Sequence, residues 1–365
     1  MARPRLSPEV FALPAERIRD GYYSDAYFNH TKHVLEAHDL HPRVLMQVFQ
    51  KHPGVIVGGV DEALAVLRLC AGRHEGEGDA ARWRPGWDQL EVRALYDGDE
   101  AGAWETVMTV EGDYSLFAHL ETVYLGVLTR RTLISTNVRR VVAAARGKPI
   151  LFFPARFDHY RVQTGDGYAA HIAGVIGVST DAQASWWGGK GIGTVPHGLI
   201  AACGGDTVEA TQRFADVYYP EVNVVALVDF DNDSVTTALE CARGLGERLW
   251  GVRLDTSDTM VDRALWDRMG TFRPNGVAPE LVRAVREALD AEGFTHVRIV
   301  VSGGFDDERI AAFEAAGVPA DAYGVGSRLL RGNTDYTADV VRVDGRPCAK
   351  QGREYRPNPR LAMVE

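Results

Sequence analysis

HVRIVVSGGF at residues 296–305 and DAYGVGSRL at residues 321–329, joined by a helical run, decide the fold. Residues 297–301 are apolar and β-branched apart from Arg298, the pattern of a parallel strand buried on both faces. That strand ends at Ser302-Gly303-Gly304. Residues 306–316 carry helical periodicity and stop at Gly317. A second short strand, residues 322–325, runs into Gly326-Ser327. Two consecutive strands therefore end in glycine-rich turns. Glycine lets the backbone approach a ligand closely and point its N–H groups at it. In (β/α) barrels the loops after the last two strands often form a phosphate site. One such turn is commonplace; the pair, late in a strand–helix series, reads as a phosphate cradle.

Working back, the same rhythm begins at Ile150. Strands are expected at residues 150–155 with Arg156 beyond the end, 178–180, 222–228 and 249–254, and helices at 167–176, 207–215, 235–245 and 279–289. This alternation is the signature of parallel α/β architecture. Arg156, His197, Asp229, Asp233, Arg253, Asp255, Ser302 and Ser327 all fall at or just past expected strand ends, the face where such folds do chemistry. Aspartate and serine there also serve as helix caps, which would account for Asp229, Asp233 and Asp258. Two arginines and a histidine do not cap helix N-termini.

Ahead of Ile150 the pattern differs. Residues 1–20 read as an irregular arm with three prolines. Tyr22-Tyr23-Ser24-Asp25-Ala26-Tyr27-Phe28 opens a helix with Ser24 as its cap, and its aromatics alone read as core packing. Short strands at 44–49 and 55–57 precede an amphipathic helix at 60–70. Residues 75–86 read as a polar loop, and Asp97-Gly98-Asp99 as a hairpin turn between strands. Glu111-Gly112-Asp113 reads as a break, followed by two helical runs, 115–130 and 132–145. Glu121, in the first of these, faces solvent or holds a cation. The chain thus divides into a mixed α/β layer over residues 1–112, completed by 333–365, and a (β/α) region over 113–332.

The totals narrow the function. Acidic residues outnumber basic ones, 50 to 40, for a net charge of −10, without the basic footprint of a general nucleic-acid binder. Four scattered cysteines, Cys70, Cys203, Cys241 and Cys348, form no CxxC pair and give no zinc or disulfide framework. Neither a signal peptide nor a membrane span is legible, so a cytoplasmic location is expected, with no membrane or nucleic-acid partner.

These pieces resemble the nicotinate phosphoribosyltransferase family, in its compact archaeal and bacterial form. Ser24-Asp25-Ala26-Tyr27-Phe28 is similar to the family's Asp-x-Tyr motif and Gly193-Thr194-Val195-Pro196-His197 to its Gly-Thr-x-x-His motif. Val252-Arg253-Leu254-Asp255 matches a family strand end, and Ser302-Gly303-Gly304 with Gly324-Val325-Gly326 match its two phosphate loops. The resemblance runs from Ser24 to about Gly332. It implies an open α/β sandwich joined to an irregular (β/α) barrel of the type II phosphoribosyltransferase kind, working as a homodimer with a shared active site. The implied reaction joins nicotinate to 5-phosphoribosyl 1-diphosphate, with magnesium and with ATP hydrolysed through a phosphohistidine, in NAD biosynthesis.

By that resemblance His197 is the phosphorylated residue, suited because imidazole is nucleophilic near neutral pH. Asp255, and less directly Asp229, suit the ribose or magnesium. Arg253 pairs with phosphate or braces Asp255. Ser302, Gly303, Gly304, Gly324, Gly326 and Ser327 hold the 5′-phosphate. Asp25 and Thr194 belong to the motifs expected to contact substrate. Arg156 would pair with the nicotinate carboxylate through its guanidinium fork, and Tyr27 would stack on the pyridine ring from the partner subunit. No resident metal site is expected, because the cysteine-rich knuckle of some archaeal relatives has only Cys348 to match it.

The sequence departs from the family pattern in places. Phe157 follows Arg156 where a second basic group is usual, Gly198 follows the histidine, and Phe230 replaces a threonine after Asp229. Trp186-Trp187-Gly188-Gly189-Lys190 reads as a surface loop, or as a flap bringing Lys190 to phosphate. The competing functions are a related transferase using quinolinate or nicotinamide, a non-catalytic nucleotide sensor on the same scaffold, and a barrel isomerase of phosphorylated sugars.

Overall fold

The computed structural model describes residues 3–76 and 81–365. Contacts divide the chain into two units: Met1–Thr136 with Gly332–Glu365, and Asn137–Arg331. The division falls inside a single 24-residue helix, Glu121–Ala144. The reading at residue 112 placed it one element earlier, because Glu111-Gly112-Asp113 looked like a break. Instead the strand Thr106–Asp113 runs through these residues. The Asp113 carboxylate then accepts a hydrogen bond from Ser115 N at 2.9 Å and caps the turn that follows. Two short 3₁₀ turns lead into the long helix, which replaces the two expected runs; Arg131 between them is no helix breaker.

The first unit is built on a six-stranded antiparallel sheet in the order Arg346–Pro347, Tyr336–Val343, Arg43–Gln50, Thr106–Asp113, Glu91–Ala94, Ala362–Met363. The C-terminal segment thus supplies both edges. The central strand Arg43–Gln50 is buried along nearly its whole length. Met46 and Val48 belong to a core shared with Val66 and Leu67 of the helix Val60–Cys70. On the opposite face Gln47 accepts from Arg356 N at 3.0 Å, and the Thr106 hydroxyl donates to Arg356 O at 2.6 Å. The tail therefore covers that face and satisfies its polar groups.

Other expectations here are corrected. The loop over residues 75–86 falls partly on 77–80, outside the described residues, while Gly72–Glu75 and Arg82–Pro85 flank it as a paired antiparallel ribbon. The helix Ala26–Ala37 buries none of its residues, and Tyr22, Tyr23 and Tyr27 are exposed, so that aromatic run is not core. Ser24 does not cap the helix. Asp25 occupies the cap position, and the Ser24 hydroxyl donates to His119 O. Among the described residues Glu121 holds no cation: burial, with Asp339 and Asp25 nearby, pushes its carboxyl up to about 8.

The second unit carries a six-stranded parallel sheet in the order Val224–Leu227, Leu249–Leu254, Arg298–Val301, Ala322–Val325, Ile150–Phe152, Gly177–Val178. Every residue of Val224–Leu227 and Ala322–Val325 is buried, as expected of strands flanked by helices. Residues 192–195 occupy the gap between the edge strands without forming a regular strand. Ile192 N donates to Val178 O at 2.8 Å on one side, and Val195 N donates to Val225 O at 3.1 Å on the other. Gly191, Gly193 and Pro196 explain the irregularity: glycine weakens a strand, and proline has no N–H to give the ladder. The barrel is thus closed by the segment that delivers Thr194 and His197.

Candidate active site

At the C-terminal ends of the parallel strands the second unit holds a cavity of about 500 Å³. Arg156, Thr194, His197, Arg253, Asp255, Ser302, Gly303, Gly304, Gly324, Gly326 and Ser327 all line it. The Ser302-Gly303-Gly304 turn sits between the strand Arg298–Val301 and the helix Asp307–Ala315. The other glycine turn joins Ala322–Val325 to the 3₁₀ turn Ser327–Leu330. The amides of Gly303, Gly304, Gly326 and Ser327 have no acceptor among the described residues. Gly303 and Gly304 hold φ of +88° and +74°, a region that disfavours side-chain-bearing residues. A Cβ on Gly324 would lie 2.7 Å from the Phe153 ring.

His197 is the first residue of the helix His197–Ala202 and half-exposed at the cavity. Its Nε2 lies 3.0 Å from Asp229 Oδ1. Asp229 is 7 % exposed, and burial, helped by Asp255, raises its carboxyl above the ordinary range while His197 opposes the shift. A carboxylate accepting from Nε2–H fixes the tautomer that leaves Nδ1 its lone pair. An oriented histidine with a free ring nitrogen at a cavity edge can act as a nucleophile.

Each guanidinium nitrogen of Arg253 has a partner. Its Nε donates to Ser302 Oγ at 2.8 Å, Nη1 to Thr194 Oγ1 at 3.3 Å, and Nη2 pairs with Asp255 Oδ2 at 3.1 Å. Ser302 Oγ in turn donates to Asp255 Oδ1 at 2.7 Å. Arg253 is therefore placed as a brace, and Ser302, buried at 2 %, commits its hydroxyl to the same network rather than to the cavity. The result is a carboxylate with both oxygens oriented and a quarter of its side chain exposed. Thr194 joins the brace through its hydroxyl.

Arg156 stands on the turn Ala155–Phe157, exposed, with its guanidinium 5.0 Å from the Phe157 ring and no acidic partner among the described residues. Phe153, Phe157 and Arg328 also line the cavity, and the sequence reading gave the first and last of these no role. Phe153 directly follows a strand, and Arg328 directly follows the second glycine turn, which are the signals available for them.

Asp25 and Tyr27 belong to the first unit and do not line this cavity. Asp25 accepts from the Thr122 hydroxyl at 2.8 Å, a local tie at the helix start. Asp233 caps the helix Ser234–Leu245 through Thr236 N. Trp187 stacks on His171 at 4.3 Å, and Trp186 is buried, so both tryptophans are docked; Lys190 is exposed and outside the cavity lining. Among the described residues no group of three or more His, Cys, Asp or Glu is placed to hold a metal ion, and no helix is long and apolar enough to cross a membrane.

Fold and site together define a barrel-type scaffold whose last two strands end in glycine turns with unpaired amides, lining one cavity with a carboxylate-paired histidine. The model of the quinolinate phosphoribosyl transferase N-terminal domain matches residues 25–132. A nicotinate phosphoribosyltransferase of Mycobacterium tuberculosis, PncB1, is 31% identical over 262 residues, covering 69% of this chain and 53% of that protein. The crystal structure of a nicotinate-nucleotide pyrophosphorylase from Pyrococcus furiosus superposes with a TM-score of 0.78 at 32% identity, covering 100% of this chain and 86% of that one. Human nicotinic acid phosphoribosyltransferase shares the fold, with a TM-score of 0.63 at 17% identity, over 89% of this chain and 76% of that one. The chain belongs to the nicotinate and quinolinate phosphoribosyltransferase family. It spans about half the length of the curated relatives it matches.

Proposed function

We propose that the protein is a nicotinate phosphoribosyltransferase, forming nicotinate mononucleotide and diphosphate from nicotinate and 5-phosphoribosyl 1-diphosphate, with ATP hydrolysed through phosphorylated His197. The observation that carries this is that His197, held by Asp229, lines the same cavity as the two free-amide turns. The names of the curated relatives support the choice of base. Transfer to quinolinate is driven by loss of its second carboxylate as CO₂. Transfer to nicotinate has no such step, so a nucleophilic histidine accepting phosphate gives the coupling a purpose.

The roles follow charge. The amides of Gly303, Gly304, Gly326 and Ser327 receive the 5′-phosphate. Asp255 faces the ribose, where positive charge develops as diphosphate departs. Phe153 and Phe157 offer ring faces to the pyridine, and Arg156 pairs with its carboxylate. The cavity-lining cations are Arg156, Arg253 and Arg328. Arg253 is already engaged, and Arg328 lies 3.8 Å from Asp306. Among the described residues this leaves one free arginine on the cavity, Arg156, which suits a mono-acid base better than quinolinate, whose two carboxylates call for more. Magnesium fits the donor chemistry: it takes one or two carboxylates plus substrate phosphates, and Asp255, which lines the cavity, would supply one. When bound, it would neutralise charge on the leaving diphosphate. The exposed Tyr27 helix supports a homodimer in which Tyr27 of the partner subunit completes the ring site. The protein would work in the cytoplasm, in NAD biosynthesis.

The test is product formation from nicotinate, quinolinate and nicotinamide in parallel, each with 5-phosphoribosyl 1-diphosphate and magnesium, with and without ATP. Turnover of nicotinate, enhanced by ATP, is expected; turnover of another base alone would refute the assignment of the ring pocket. Arg156→Ala should raise KM for nicotinate by the loss of a charged hydrogen bond, about 1.5–3 kcal/mol, with little change in kcat. An unchanged KM would move the carboxylate elsewhere.

A further inference from the structure

The peptide between Gly303 and Gly304 has glycine on both sides, each at positive φ. No flanking Cβ resists its rotation, so it is among the easiest peptides in the chain to flip. Orientation matters here more than elsewhere. In a trans peptide the C=O and the N–H point opposite ways. One orientation turns the Gly304 N–H to the cavity, while the flipped one turns the Gly303 carbonyl oxygen there, which would repel a phosphate.

Arg309 decides between them. Its Nη1 donates to Gly303 O at 2.7 Å, and its Nη2 donates to Val277 O at 2.8 Å. The second bond ties the guanidinium to the segment entering the helix Pro279–Ala291. The guanidinium also lies 4.1 Å from the Phe305 ring centroid and 5.7 Å from that of Phe313. Burial lowers the pKa of this partly buried cation, an effect that Asp306 and Asp258 offset only in part. Arg309 does not line the substrate cavity. It lines a separate one of about 300 Å³, with Asp258, Arg273 and Asn275. It therefore stands outside the substrate cavity and holds the turn by a hydrogen bond to the Gly303 carbonyl.

We infer that Arg309 is a positioning residue that latches the Gly303–Gly304 peptide with its N–H toward the substrate phosphate. It sets affinity for the phosphorylated substrate without contacting it. The inference rests on the phosphoribosyl reading of the cavity, so its test includes binding of a probe that needs no turnover.

Arg309→Gln and Arg309→Lys would be compared with wild type in steady-state kinetics and in calorimetric titration with ribose 5-phosphate. The glutamine variant loses the cation and one of two donors. Lysine keeps the charge but, as a single point donor, reaches one carbonyl in place of two. Arg309→Gln should raise KM for 5-phosphoribosyl 1-diphosphate and Kd for ribose 5-phosphate together by about tenfold or more, the effect of one lost charge-assisted bond. KM for nicotinate and kcat should stay near wild type, and Arg309→Lys should fall between. A parallel rise in both KM values would mean general distortion and overturn the latch, as would an unchanged Kd in both variants. Should the glutamine variant fail to fold, the lysine variant decides on the same readouts. Wild type that does not bind ribose 5-phosphate would overturn the phosphoribosyl reading itself, and the latch with it.

Discussion

His197→Ala is expected to abolish phosphoenzyme formation and ATP hydrolysis while leaving a slow, ATP-independent transfer. The residual activity follows from the proposed reading: the glycine turns, Asp255 and Arg156, assigned there to binding and orienting both substrates, are untouched by the substitution. The loss of ATPase should be complete within detection, because no other imidazole lines the cavity among the described residues. Asp229→Asn should be milder, since it keeps Nδ1 but removes the carboxylate that holds the tautomer, at a cost of about 10²–10⁴ in phosphorylation rate. Asp229 also gives the pH dependence its sign. Burial raises its pKa, so as pH falls it takes up a proton above the usual carboxylate range, and His197 loses its acceptor. Phosphorylation should therefore fall on the acid side at a higher pH than an exposed aspartate would give, and the asparagine variant should lack that limb. Phosphoenzyme trapped with labelled ATP across pH measures all three effects. Retained ATPase in His197→Ala would end the assignment.

Where a strand or helix carried its own pattern, it was legible in advance. Residues 249–254 and 322–325 were read with the limits the structure gives them, because short, largely apolar runs ending at aspartate or glycine have few other solutions. What was not legible depended on partners distant in sequence. The Tyr22–Phe28 aromatics looked like core because hydrophobicity alone does not say which face of a helix finds a neighbour. Glu111-Gly112-Asp113 looked like a break because its pairing with Arg43, Val44 and Leu45 lies about seventy residues away. The barrel's closure was invisible for the same reason. Residues 192–195 have no strand pattern, and their two backbone bonds go to strands on either side of them in the chain.

The candidate site divides along a similar line. Residue types at strand ends pointed to the cavity and to most of its lining, because parallel topology brings all those ends to one face. Their division of labour was not encoded locally. Arg253 and Ser302 both sit at strand ends, like residues that meet ligands, yet their hydrogen bonds run to one another and to Asp255. Only the register of adjacent parallel strands, which sets Arg253 beside Val300 and Leu254 beside Val301, brings those side chains within reach.

That network makes Asp255 the residue whose charge should matter most for the transfer step itself. Its two oxygens are oriented separately, Oδ1 by Ser302 and Oδ2 by Arg253, so the carboxylate needs little reorganisation when positive charge appears on the ribose. Asp255→Asn keeps the shape and most of the packing but removes the negative charge and leaves the Arg253 cation without its counter-ion. A preorganised electrostatic group of this kind is worth about 10²–10³ in kcat. The fall should appear in the ATP-independent reaction as well as in the coupled one, which separates it from the effect of His197→Ala. Arg253→Lys offers the complementary reading: the charge remains, but one donor cannot serve Ser302, Thr194 and Asp255 together, so kcat should fall by less than in Asp255→Asn. Single-turnover transfer rates measured without ATP, with thermal melting as the check on folding, give both comparisons. A well-folded Asp255→Asn enzyme with a near wild-type transfer rate would place the charge-stabilising role elsewhere in the cavity.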